Sequence, residues 1–184
     1  MTRLFCVGIM VAAVLFATSA FASVPFPDNC TIAVGSYVCT CPQGDWGYID
    51  VTVRDQFNLP IAGQIAGASL GNTTQLCADP ITGITDALGY VRLYLPVGTL
   101  STVNTPRITS TYTVTAMGYT IGGGSFEVMS ADYNCSPTVD ALDFSFFAQD
   151  WLQFGVSLRS DFNDDGTVDA LDYSLFALHW LHSN

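Results

Sequence analysis

Lysine is absent from these 184 residues, and only five arginines stand against 16 acidic side chains, a formal net charge of −11. A chain of that sign repels phosphate backbones and anionic bilayers, which sets aside nucleic-acid binding and electrostatic membrane attachment. Histidine is nearly absent too: His179 and His182 are the only two. They stand at i, i+3 near the C-terminal end with no acidic residue placed to complete a zinc site, so they read as surface or rim residues. No nucleophile elbow and no phosphate-binding loop occurs, and the segment 45–129 holds a single glutamate, Glu127, among scattered aspartates. Nothing in that inventory points to an enzyme.

Long apolar runs are lacking beyond the N-terminus. Arg3, the apolar stretch Leu4 to Ala17 and the small-x-small triplet Ala20-Phe21-Ala22 read as an export signal over 1–22, with the mature chain starting near Ser23. Cys6 lies inside this run without the small-residue context of a lipid anchor. Export, to an extracellular or cell-surface location, places Cys30, Cys39, Cys41, Cys77 and Cys135 where disulfides persist. Cys39-Thr-Cys41 lacks the spacing of a zinc or redox motif. Five is odd, so one thiol is left over, and the pairing we expect is Cys41 with Cys77.

Residues 23–44 show no clear period and read as a lead-in segment. From 45 to 130 the pattern is that of strands. Tyr48-Ile-Asp-Val-Thr-Val-Arg54 alternates, with Ile49, Val51 and Val53 on one face, and Tyr90-Val-Arg-Leu-Tyr-Leu95 does the same with Val91, Leu93 and Leu95. Tyr112 to Ala116 and Ser125 to Met129 continue the series, with turn residues between Asp55 and Pro60. Short strands punctuated by Gly, Asn and Asp predict a β-sandwich.

The last 54 residues, 131–184, are different. Asp161-Phe-Asn163-Asp-Asp165-Gly166-Thr167-Val168-Asp169-Ala-Leu-Asp172 places oxygen ligands at positions 1, 3, 5, 7, 9 and 12 of a calcium loop, with glycine at the sharp turn of position 6. Thr167 contributes its backbone carbonyl. The pattern recurs 29 residues upstream as Asp132, Asn134, Ser136, Thr138, Asp140 and Asp143, and the segments 144–152 and 173–181 align as well. A fixed-period duplication means two copies of one unit that share a core. A short helix is predicted directly after each loop, with Phe146, Phe147, Trp151, Phe176 and Trp180 as the shared core. The first loop departs at two places. Ser136 replaces an acidic ligand, and Pro137 replaces glycine, which predicts a different path there and a weaker site. Nine aspartates fall in this region (132, 140, 143, 150, 161, 164, 165, 169 and 172), so much of the negative charge reads as ligand charge.

On these residues the C-terminal region resembles a dockerin, a family of two calcium loops each followed by one helix. Position 12 is aspartate rather than the glutamate of a calcium sensor, and no helix precedes either loop. The resemblance implies calcium as cofactor and a cohesin-type β-domain as protein partner. It also implies that Ala141, Leu142, Ala170 and Leu171, at positions 10 and 11, help choose that partner. Val51 to Asp55, Leu59 to Gly63, Thr85 to Gly89 and Tyr112 to Tyr119 resemble bacterial Ig-like and carboxypeptidase-regulatory-like domains, usually spacers or adhesive modules.

The expected fold is therefore mostly β with a small α module at the C-terminus: an Ig-like sandwich followed by two EF-hand-type loop–helix repeats. The expected function is calcium-dependent docking by a secreted, non-catalytic protein, in an assembly of the polysaccharide-degrading or cell-surface kind. Two other readings compete. One is a calcium-rigidified structural or adhesive protein. The other is a carbohydrate-binding module, since Tyr48, Tyr90 and Tyr94 lie opposite the apolar faces of their strands and could stack on sugar rings. With no Pro/Ser/Gly linker between Met129 and Asp132, the two parts are expected to pack together.

Overall fold

The computed structural model describes residues 23–41, 46–72, 76–78, 81–100, 107–136 and 138–183. The expected export signal, with Cys6, lies outside the described residues, as does Pro137. The chain is mostly β with two short C-terminal helices. A three-stranded sheet contains β1 (Thr31–Ala33), β3 (Tyr48–Thr52) and β7 (Tyr90–Tyr94) in the order β1-β3-β7. A five-stranded sheet runs β2-β10-β9-β4-β6. Its members are β2 (Tyr37–Thr40), β4 (Ile65–Leu70), β6 (Ile81–Ile84), β9 (Ile108–Ala116) and β10 (Tyr119–Ser130). The short strands β5 (Leu76–Ala78) and β8 (Val97–Thr99) pair with each other. The helices are α1 (Ala141–Asp150) and α2 (Ala170–Leu178).

Alternation explains how the sheets face each other. In β3, Ile49 and Val51 are buried, and in β7, Val91 and Leu93. They meet Ala66, Ile81, Val114, Ala116 and Phe126 of the five-stranded sheet in one apolar core. The β9–β10 hairpin turns through Met117 (φ 52°) and Gly118 (φ 83°), two positive-φ residues whose twist suits paired antiparallel strands.

The segment 23–44, which looks like an aperiodic lead-in, supplies β1 to one sheet and β2 to the other. β2 lies parallel to the end of β10, with Val38 opposite Val128 and Cys39 opposite Met129. Parallel pairing here decides how the rest of the molecule attaches. Val128 and Val38 point into the sandwich core, whereas Met129 belongs to a second core with Ala131, Tyr133, Val139, Phe147, Phe162, Val168 and Phe176. Cys39 and Trp46 pack against that second core. The end of β10 is thus buried on both faces, and the loop–helix repeats sit directly on the outer face of the β2–β10 edge.

Three further ties fix this join. Thr99 of β8 donates its N–H to the carbonyl of Asp132 (2.8 Å). Arg107, almost wholly buried, donates to the carbonyls of Leu158 (3.1 Å) and Asp161 (2.8 Å). A disulfide joins Cys77 of β5 to Cys135, with Cα atoms 5.7 Å apart. The expected Cys41–Cys77 pairing is therefore incorrect. β8 holds both β5 and the backbone of Asp132, and so brings Cys135, not Cys41, to Cys77.

Candidate functional site

The described residues of the two loop–helix repeats follow a matching backbone course. Position 4 of each loop has positive φ, Cys135 at 57° and Asp164 at 59°. Position 9 caps the helix in nearly identical conformations, with φ/ψ of −136°/−163° at Asp140 and −138°/−159° at Asp169. Leu152 and Leu181, leaving the helices, again match at 61° and 65°. The exits cross over. Leu152 and Gln153 bond to Val168 of the second loop, and Leu181 and His182 to Val139 of the first. Each helix therefore closes the other repeat's loop, which makes the pair one unit.

The same capping chemistry starts both helices. Asp140 accepts from the Leu142 N–H (2.8 Å) while Asp143 accepts from the Asp140 N–H (2.9 Å). Asp169 and Asp172 repeat this with Leu171 at 2.8 Å and Asp169 at 2.9 Å. The remaining oxygens of Asp143 and Asp172 turn back into the loops, accepting from the N–H groups of Tyr133 (2.8 Å) and Asn163 (3.2 Å). In the second loop, Asp161 accepts from Asp165 (3.1 Å) and Gly166 (2.9 Å), and the Asn163 Oδ1 accepts from Asp165 (3.0 Å). In the first, Asp132 and the Asn134 Oδ1 accept from Ser136 at 3.1 and 2.6 Å.

The expectation that Pro137 sends the first loop along a different path fails for the described residues on either side of it. What proline removes is one donor, since it has no N–H to match the bond from Gly166 to Asp161. Ser136 adds a second difference: its hydroxyl donates to the Thr138 carbonyl at 2.7 Å, the position-7 oxygen.

These donor sets consist of oxygen throughout, which suits a hard cation. The electrostatics fit the same group. Burial and the neighbouring Asp143 push the Asp132 carboxyl up to about 7. Burial likewise raises Asp143 and Asp172 above the ordinary carboxylate range. A carboxylate held this way lacks counter-charge, which a divalent cation would supply. Near the second loop one counter-charge is built in: the Arg107 guanidinium lies 2.6 Å from Asp164 and 3.7 Å from the Asp161 Oδ2.

Not all of the region's aspartates serve the loops. Asp150, buried at the end of α1, is held bidentately by Arg159 at 2.6 and 2.9 Å and accepts from the Ser160 hydroxyl at 2.5 Å. Asp150 therefore belongs to an internal ion pair rather than to a metal ligand set.

Ala141, Leu142, Ala170 and Leu171 are all exposed, so they do not pack between the repeats. Phe147 and Phe176 form the shared core, stacked with centroids 5.3 Å apart, and Phe146 is half-buried beside Tyr133. Trp151 and Trp180 do not join that core as expected, being 44% and 42% exposed. Position 20 falls where each helix has ended, so its ring lies over the flank of the core. There the tryptophans line two clefts of about 390 and 400 Å³ on either side of Phe144 and Tyr173. Phe144 and Tyr173 meet edge to face at 6.1 Å. Reasoning from sequence missed these two residues, although both stand at position 13 of the duplication.

The histidines also differ from expectation. His179 is only 7% exposed and stacks on Trp46, with ring centroids 3.9 Å apart. On the three-stranded sheet, Tyr48 and Tyr94 are exposed but cross at 74°, Arg92 covers the Tyr48 ring at 3.7 Å, and the Tyr90 hydroxyl donates to Asp50. That arrangement is not a flat stacking platform.

Among the described residues, no helix is long and apolar enough to cross a membrane. No protein-family model and no curated protein matches this sequence. Among solved structures, the chain is similar to the ZirS C-terminal domain at 13% identity and TM-score 0.43, covering 70% of this chain and 84% of that one. It is similar to invasin, described as a bacterial integrin-binding protein, at 23% identity and TM-score 0.39, covering 55% of this chain and 19% of invasin. The Yersinia pseudotuberculosis adhesin InvE matches at 22% identity and TM-score 0.40, over 58% of this chain and 28% of that one. Likenesses at this level do not transfer a function.

Proposed function

We propose that this is a secreted, non-catalytic calcium-binding protein. Its dockerin-like repeats bind calcium and dock onto a cohesin-type β-domain of another protein, in a cell-surface or polysaccharide-degrading assembly. The observation that carries the reading is the internal match. Two all-oxygen loops, matched in backbone at positions 4 and 9, each launch a helix, and each helix begins with an exposed Ala-Leu pair beside an exposed aromatic. A cation held between positions 1 and 12 fixes where that pair points. A half-turn of the module presents Leu171 and Tyr173 where Leu142 and Phe144 had been.

The test uses the mature chain and a panel of purified cohesin-type domains, with calcium or with chelator. Binding should require calcium. Leu142→Asp or Leu171→Asp alone should leave much of the affinity, and the pair together should remove it. A double variant that keeps its calcium-dependent fold and binds like the parent overturns the docking face.

A second reading, a calcium-rigidified adhesive or structural protein, is favoured by the join itself. Arg107 and the Cys77–Cys135 bond tie the loops to their own sandwich. Under that reading calcium raises the melting temperature and no panel member binds. At free calcium a hundredfold above Kd the gain is about 2.7 kcal/mol per site.

A further inference from the structure

Two histidines and a cysteine that the calcium loops do not use come together where the end of the chain meets the sandwich. Cys41, fully buried just after β2, bridges to Pro96. His179 closes α2, and His182 lies in the tail that pairs with Val139. The Cys41 Sγ stands 3.9 Å from the His182 Nδ1, the two Nδ1 atoms are 3.2 Å apart, and one ligand atom from each residue lies within 4.8 Å of the others. We infer that Cys41, His179 and His182 form a site for a thiophilic divalent transition ion, Zn²⁺ in the first instance, that clamps the C-terminal tail onto the sandwich.

Two of the three pair distances, 3.9 and 3.2 Å, come near those of the ion, and the third lies within 4.8 Å. Tetrahedral Zn²⁺, with bonds of about 2.3 Å to sulfur and 2.05 Å to nitrogen, sets its ligand atoms roughly 3.3–3.6 Å apart. The donor set selects against calcium, which takes oxygen, and for a borderline-soft ion that takes thiolate and imidazole. Binding releases the Cys41 thiol proton to solvent, and both imidazoles donate a lone pair from Nδ1. Three protein ligands leave a fourth position for water or another small donor.

The surroundings support the placement. Trp46, stacked on His179 with ring centroids 3.9 Å apart, holds the plane of that ring. The duplication makes the residue choice more telling. Asp150 and His179 occupy the same position of their repeats, 29 residues apart. In the first repeat it is satisfied inside the module by Arg159. In the second it faces the sandwich, and a different side chain stands there. Because the His182 backbone bonds to Val139 of the first loop, an ion here would also brace that loop.

The experiment uses the mature chain with calcium saturating, so that the oxygen sites do not compete. Titration with Zn²⁺ against a chromophoric chelator should show one tight equivalent. Co²⁺ in its place should give a tetrahedral visible spectrum and a sulfur-to-metal charge-transfer band. Cys41→Ser should lose the band, and His182→Asn should lose the tight equivalent. His182 is only half-buried, so its variant decides the matter if Cys41→Ser fails to fold. No tight equivalent in the parent chain overturns the site. So does a charge-transfer band that survives in folded Cys41→Ser, or tight binding that survives in His182→Asn. Because calcium binding is read separately, failure of the calcium reading leaves this result unaffected.

Discussion

On the calcium reading proposed above, the two loops should differ in affinity, and Ser136 is the residue that sets the difference. The second loop brings four carboxylates to its ligand positions, Asp161, Asp165, Asp169 and Asp172. The first brings three, Asp132, Asp140 and Asp143. Replacing a charged ligand by a neutral one forfeits a charge-assisted interaction of about 1.5–3 kcal/mol, or roughly ten- to a hundredfold in Kd. The Ser136 hydroxyl adds to the deficit because it donates to the Thr138 carbonyl at 2.7 Å, an oxygen the cation needs. Arg107 acts in the opposite sense, since its guanidinium 3.7 Å from the Asp161 Oδ2 partly neutralises the second loop. The missing carboxylate wins because it belongs to the ligand set, whereas Arg107 reaches that loop from outside and its strongest contact is Asp164, which is not a ligand. Calorimetry on the mature chain should resolve a tighter and a weaker site, with Asp161→Ala abolishing the tighter one. Ser136→Asp should tighten the weaker site by about ten- to a hundredfold, and Asp165→Ser should weaken the other by a similar factor. Cys135 and Asp140, on either side, match Asp164 and Asp169 of the second loop, so the substitution leaves the loop's entry and the helix cap in place. Equal sites in the parent chain, or an unchanged weaker site in Ser136→Asp, would refute the reasoning.

Removing the disulfide with Cys77→Ser and Cys135→Ser should cost about 4 kcal/mol by chain entropy for a 58-residue separation, measured by urea denaturation, and should weaken calcium binding at the first loop only. Asp150→Ala strands the buried Arg159 and should cost about 3–5 kcal/mol, whereas Asp150→Leu with Arg159→Met should recover much of it; a single-variant loss below about 1 kcal/mol would count against the pair's burial. Burial against the repeats pushes the Cys39 thiol from 9.0 up to about 12. The neutral thiol is thus favoured by folding, a contribution that is complete below pH 9 and disappears as pH rises toward 12. At pH 8, alkylation followed by peptide mass spectrometry should run about a thousandfold slower at Cys39 than in the denatured chain, and equal rates would show that the join between sandwich and repeats is open.

The elements legible in the sequence are those whose pattern is local. β3 and β7 alternate over five residues each, long enough for the period to show, and the duplicated loops carry an oxygen-bearing side chain at every odd position to nine. The strands β4, β5, β6 and β8 did not show. Gly67, Ala66, Ala68 and Ser69 in β4 have too little contrast between faces, and β5 and β8 are three residues long. β1 and β2 were missed for a related reason: a short strand next to prolines and cysteines has no period of its own and is defined only by its partner.

What the sequence by itself determined is the class of each half: a sandwich from alternation, and two loop–helix units from a 29-residue repeat of oxygen-bearing side chains. Those are statements about neighbours along the chain, where spacing alone specifies which side chains share a face. Only the tertiary structure decided which distant residues meet. The parallel pairing of β2 with β10 turns Met129 and Cys39 outward to seat the repeats. The link from Thr99 to Asp132 brings Cys135 to Cys77. The docking of α2 on Trp46 delivers His179 and His182 to Cys41, a thiol 141 residues from the second of them. Each depends on how two packed surfaces fit, a property of the assembled core that no local pattern carries.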